Sequence, residues 1–190
     1  MSLPIVMQAA NFAAERHRQQ RRKDEDASPY INHPLNVANL LCEVGGINDT
    51  NIIAAALLHD TVEDTDTTPA QIAERFGAQV RDLVMEVSDD TQLVSVDRKR
   101  LQIDGAASLS HGAVLIKLAD KTSNIRDIID SPPRGWSIDR RRRYLDWAQA
   151  VIDGCRPANV ALESLFRNTV AQARQVLTQL ESDTVTAYKT

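Results

Sequence analysis

The sequence predicts an all-α protein, a single-domain helical bundle, on three observations. Apolar residues recur at spacings of three and four along most of the chain. Ser, Thr, Asp, Asn, Gly and Pro punctuate those segments where helices start and stop. No stretch alternates apolar and polar residues between turns as a strand does, and there is neither an internal repeat nor a low-complexity tract. A chain of 190 residues is long enough for one domain with a sizeable core, and its periodicities predict about seven to ten helices.

The first runs from Pro4 to about Gln20, with Ile5, Ala9, Phe12 and Ala13 on one face. Its short apolar start has no basic region before it and passes straight into charge, so it reads as a helix and not as a signal peptide. RRKDEDASPYINH (21–33) is polar and proline-rich, a loop. Pro34 suits a first helical position, Leu35, Ala38, Leu41 and Cys42 follow, and Gly45-Gly46 ends that helix. NDTNIIAAALLHD (48–60) supplies capping residues and then an almost wholly apolar helix, buried on most sides. TTPAQIAERFG (67–77) is another capped start with Pro69 just inside and Gly77 as a stop. Val80, Leu83, Val84 and Val87 make a stripe along Ala78–Val87, whereas 89–110 is polar and reads as part helix, part loop. His111–Asp130, closed by Pro132-Pro133, then Ser137–Asp153 and Pro157–Leu180 complete the set. The domain is expected to span 1–180, with ESDTVTAYKT (181–190) as a flexible tail.

The composition is that of a soluble globular protein, 43% hydrophobic and 25% charged. Only 4% aromatic residues and a net charge of −4 weigh against nucleic acid as a partner. No apolar run approaches the ~20 residues that span a bilayer, so no membrane partner is expected. Cys42 and Cys155 lie far apart among apolar neighbours and match neither a zinc spacing nor a disulfide framework. They read as buried free thiols in a reducing compartment, and the expected location is cytoplasmic.

LLHDTVEDTDTT (57–68) crowds a histidine and four carboxylates against buried leucines, and such acids repel one another unless something positive sits among them. His59 and Asp60 close the apolar helix; His33 stands at the mouth of another, held by Pro34; Asp120 ends the apolar run AVLIKLA. A lone histidine at a helix end is ordinarily a core or cap residue. Here each candidate adjoins a strongly buried segment, and together they form a mixed nitrogen and oxygen set. That set suits manganese, iron or magnesium better than a sulfur-rich zinc site. Glu63 and Asp64, three and four residues after Asp60, fall on its face if the helix continues, where they would orient or deprotonate a water. Asp66 and Thr67-Thr68 read as the turn and cap before Pro69.

The pattern HP (33–34), LLHDTVEDT (57–65) and LADKTSNIRD (118–127) resembles the HD-domain metal-dependent phosphohydrolases. More narrowly it is similar to the hydrolase domain of RelA/SpoT-type alarmone enzymes and their small stand-alone SpoT-like relatives, from about Phe12 to Trp147. The resemblance implies an HD-type bundle with His33, His59, Asp60 and Asp120 as ligands of one Mn2+ ion. It implies that Glu63 and Asp64 activate the attacking water, and that Arg22, Lys23 and Asn124 contact the nucleotide. Lys121, beside the ligand Asp120, joins them as a phosphate-binding cation. Arg18, Arg21, Lys117 and Arg126 flank the same segments, while Arg140 to Arg143 read as a solvated face or an oligomer contact, which leaves a homodimer open.

The implied reaction removes the 3′-pyrophosphate of guanosine tetra- or pentaphosphate (ppGpp or pppGpp), giving GDP or GTP and pyrophosphate. Thr122-Ser123 and Asp127 depart from the pattern of several relatives, and Asp127 puts a negative charge near the nucleotide. Two other readings therefore stand beside the first: the same chemistry on another nucleotide such as NADPH, or a regulator that binds the alarmone without turning it over. After Trp147 too few residues remain for a synthetase domain, so only breakdown of the alarmone is expected.

Overall fold

A computed structural model describes residues 3–187, and of 184–187 the backbone alone. Ten α-helices and one 3-10 turn form the described residues, with no strand beyond a single bridge between Arg21 and Pro29. In chain order they are α1 (Leu3–Arg16), α2 (Asn32–Glu43), α3 (Thr50–Leu58), α4 (Thr61–Asp64) and α5 (Pro69–Phe76). There follow α6 (Ala78–Val87), α7 (Ser95–Gly105), the turn Ala106–Ser108, α8 (His111–Asp130), α9 (Ile138–Gly154) and α10 (Val160–Ala187).

The caps explain the boundaries. Asp49 accepts a hydrogen bond from Asn51 N at 2.8 Å and starts α3, whose residues from Ile53 to Leu58 are all buried. Thr68 and Gln71 form a reciprocal capping box at the start of α5. Gly77, at φ 89°, turns the chain into α6 through a conformation that L side chains rarely adopt. Ser110 accepts from Ala113 N and starts α8, the central helix, which is buried without interruption from Gly112 to Ser123.

Around α8 pack α2, α3, α6, α9 and α10. Gly112 lets α8 approach α6 closely, since a Cβ there would come 2.7 Å from Leu83 Cδ2. Leu162, Phe166, Val170, Ala173 and Leu177 bury one stripe of α10 over the core. The result holds α2, the end of α3 and the middle of α8 rigidly beside one another.

Four expectations are corrected. α1 ends at Arg16, because the next residues turn and Gln20 accepts Tyr30 N on its carbonyl. Pro34 is the third residue of α2, whose first turn lacks a side-chain cap. Both cysteines are free, yet Cys42 is exposed and Cys155 half-buried. α10 continues past Leu180 to Ala187, so the first part of the expected tail is helical, and 188–190 lie outside the described residues.

Candidate active site

α2 brings in His33, the bend after α3 brings in His59 and Asp60, and α8 brings in Asp120. Asp60 Oδ2 lies 3.1 Å from His59 Nε2 and 3.7 Å from His33 Nε2. Asp120 Oδ1 lies 3.2 Å from His33 Nε2 and 3.9 Å from His59 Nε2. The other ring nitrogens are committed: His59 Nδ1 to Ala56 O at 2.7 Å, and His33 Nδ1 to Ser123 Oγ at 3.3 Å. Ala56 O can only accept, so His59 Nδ1 carries the proton and the Nε2 lone pair of the neutral ring faces the carboxylates.

That arrangement is repulsive unless a cation sits within it. His59 Nε2 is buried without a hydrogen-bond partner. Burial opposes charge on His59, but Asp60 and then Asp120 push it up to about 9. Burial opposes charge on Asp120 too, yet Lys121 and the two histidines hold it well below the carboxylate range. His33, His59 and Asp60 alone present ligand atoms all within 4.8 Å of one another, and Asp120 completes an N2O2 set. The set fits a divalent ion, which these His nitrogens and carboxylate oxygens would hold.

A second layer orients these groups. Tyr30 donates to Asp60 Oδ2 at 2.7 Å, and burial followed by the neighbouring acids raises its pKa so that it stays a donor. Lys121 contacts Asp120 Oδ2 at 3.1 Å and lies 4.3 Å over the Trp147 ring. Asn124 donates to Asp120 Oδ1 at 2.6 Å and accepts from Arg22 at 2.9 Å. Arg22 is also ion-paired with Asp127, and that partner outweighs burial in raising its pKa.

The chain bends at His59-Asp60 and restarts as α4, which carries both acids. Glu63 Oε1 accepts Asp89 N at 2.6 Å, and Asp64 Oδ2 accepts Gln20 Nε2 at 2.8 Å. Burial first, then Asp60 and Asp89, push Glu63 up to about 7. A chamber of 150 Å³ takes in His33, His59, Asp60, Glu63 and Asp120. Through Tyr30, Asp60, Glu63 and Asn124 it shares walls with an outer pocket of 360 Å³ that adds Arg22, Lys23, Asp64, Asp127, Trp136 and Tyr144. The inner end thus offers nitrogen and oxygen donors and a carboxyl near neutrality, and the outer end offers Arg22 and Lys23 among carboxylates and flat rings.

All ten expected site residues line one or both of these spaces. Lys117, expected on the flank, is instead buried and donates to Val87 O at 2.9 Å beside the chamber. Arg126 is exposed and lines neither space. Thr122 and Ser123 do not face the outer pocket: Thr122 bonds Leu118 O and Ser123 meets His33. Tyr30, Gln20 and Ser123 went unassigned from sequence. Tyr30 alone carried a signal, standing three residues before His33 at the lip of the same helix.

Fold and site together define a helical metal-dependent phosphohydrolase, and the chain belongs to the HD domain family, whose model matches residues 9–144. Among its relatives is the guanosine-3′,5′-bis(diphosphate) 3′-pyrophosphohydrolase MESH1 of Xenopus tropicalis, 53% identical over 159 residues, 84% of this chain and 89% of that protein. MESH1 of Homo sapiens is 50% identical over 167 residues, 88% of this chain and 93% of that one. A solved structure, described as a metazoan ortholog of SpoT that hydrolyzes ppGpp and plays a role in starvation responses, superposes with a TM-score of 0.87 at 44% identity. It covers 90% of this chain and 97% of its own.

Proposed function

We propose that this chain is a divalent-metal-dependent hydrolase that removes the 3′-pyrophosphate of guanosine 3′,5′-bis(diphosphate), giving GDP and pyrophosphate, and acts likewise on the pentaphosphate. The observation that carries the chemistry is the convergence of His33 Nε2, His59 Nε2, Asp60 and Asp120 in one buried chamber that shares walls with a pocket carrying Arg22 and Lys23. The names of relatives sharing about half its residues over most of both chains support the substrate.

In this reading His33, His59, Asp60 and Asp120 hold the ion, with Mn2+ the expected metal. When bound, such an ion supplies Lewis acidity to a phosphoryl oxygen and a lowered pKa to water. The residues do the rest. Hydrolysis replaces the bond from phosphorus to O3′ with one to the water oxygen, so a proton must leave the water and another must reach O3′. Glu63, raised to about 7, is matched to take that proton at neutral pH. Asp64, fixed by Gln20, acts with it. Asn124 couples the ligand Asp120 to Arg22, so the group that holds the nucleotide and the group that holds the metal are registered by two hydrogen bonds. Arg22 and Lys23 at the rim and Lys121 within meet phosphate charge.

The partner in this reading is a small nucleotide in a cytoplasmic setting; no helix among the described residues is long and apolar enough to cross a membrane. The test is release of GDP and pyrophosphate from guanosine tetraphosphate in a manganese-supplemented assay, with NADPH at matched concentration and a His59→Ala control. Equal loss of substrate with that variant would remove the site from the account.

A further inference from the structure

α7 contains no buried residue, and Val96, Leu101 and Ile103 on it face solvent. A helix that adds nothing to the core still sits against the catalytic chamber, and Gln102 is the α7 side chain that reaches it. Gln102 Nε2 donates to both carboxylate oxygens of Asp89 at 2.8 Å. The backbone N–H of the same Asp89 holds Glu63. A carboxylate only accepts, so the amide nitrogen must face Asp89 and the amide oxygen must face away. That oxygen, Gln102 Oε1, is buried with no hydrogen-bond partner. Leaving a buried carbonyl unpaired is unfavourable, which marks a place where a donor belongs.

The donor is not provided by the neighbouring protein groups. Lys117 lines the same chamber, but its ammonium turns to Val87 O at 2.9 Å, and no protein donor stands within hydrogen-bond distance of Gln102 Oε1. Gln102, Asp89 and Lys117 also border a second cavity of 580 Å³ that shares no lining residue with the outer pocket. The small donor that suits a chamber lined by both Gln102 and Glu63 is water.

We infer that Gln102 is a positioning residue for the hydrolytic water: Asp89 anchors its nitrogen and its oxygen accepts one hydrogen of the water whose other proton Glu63 removes. The inference rests on the hydrolase reading above and deepens it. The same anchor sets Glu63, because Asp89 joins the two side chains.

Two experiments test it. Gln102→Leu keeps the volume and removes both polar ends; kcat should fall about 100-fold with KM and manganese affinity unchanged. Gln102→Glu should fall as far, because two carboxylates then oppose. Adding Asp89→Asn to it restores a donor–acceptor pair and leaves one Glu oxygen free for water, and most of kcat should return. Retention of kcat by Gln102→Leu, a loss confined to KM or metal affinity, or a folded double variant with no recovery would each overturn the inference. The second arm needs no substrate: crystals of the manganese-loaded wild type should show an ordered water hydrogen-bonded to Gln102 Oε1 and Glu63. Its absence overturns the inference; its presence in a protein inactive on guanosine tetraphosphate sustains the inference and rejects the substrate assignment.

Discussion

His59 shows at the scale of one residue why the site needs a cation. Its Nδ1 proton is committed to Ala56 O, and its other nitrogen points at acids, so in the metal-free protein a proton fills the gap with a pKa of about 9. A metal must displace that proton, so affinity rises with pH from 7 toward 9 and then levels. Titration calorimetry in buffers of differing ionisation enthalpy should show proton release on manganese binding at pH 7.5; pH-independent affinity would contradict it. Glu63 makes the opposite kind of prediction. Its folded pKa is raised from 4.5 to about 7, so the stability of the protonated form is fully present below 4.5 and is lost as pH rises through 7. Glu63→Gln keeps an acceptor for Asp89 N–H but cannot ionise. Above pH 7 the metal-free variant should be more stable than wild type by on the order of 2 kcal/mol in urea titrations, while its hydrolysis drops at least about 100-fold. That these histidines and acids gather at one place was legible in the sequence because their chemistry is intrinsic to residue type. Ser123 behind His33 and Gln20 behind Asp64 were not, since a hydrogen-bond partner 90 or 44 residues distant leaves no local pattern.

Punctuation decided what could be read of the elements. α6 and α8 match their expected limits at both ends: Gly77 stands before α6, Ser110 caps α8, and Pro132-Pro133 follow its end. α7 was ambiguous for a physical reason: with no buried face it has no stripe to detect. α4 could not be separated from α3, because the break at Asp60 (φ −93°, ψ −7°) is made without a Gly or Pro to mark it. Gly77→Ala places a side chain at φ 89° and should destabilise the fold by about 1–3 kcal/mol, measured as a lower urea midpoint at unchanged slope. Thr68→Ala, which removes only the capping box, should cost about 1 kcal/mol.

The whole molecule is a frame that brings together groups on α2, at the bend after α3 and on α8 that are distant in sequence, with α10 packed along α8. The all-α class was readable because every apolar stripe had helical period; the packing order was not, since a stripe says that a face is buried and not against what. A ligand that binds only the folded frame must stabilise it by mass action. Manganese at 100 times its dissociation constant should add about 2.7 kcal/mol, seen as a rise of several degrees in Tm, and Asp120→Ala should abolish that rise. The most direct measurement is anomalous diffraction at the manganese edge from metal-soaked crystals. The account predicts one peak within about 2.0–2.5 Å of His33 Nε2, His59 Nε2 and an oxygen each of Asp60 and Asp120; a peak that leaves out His33 or Asp120, or none at that place, would contradict it.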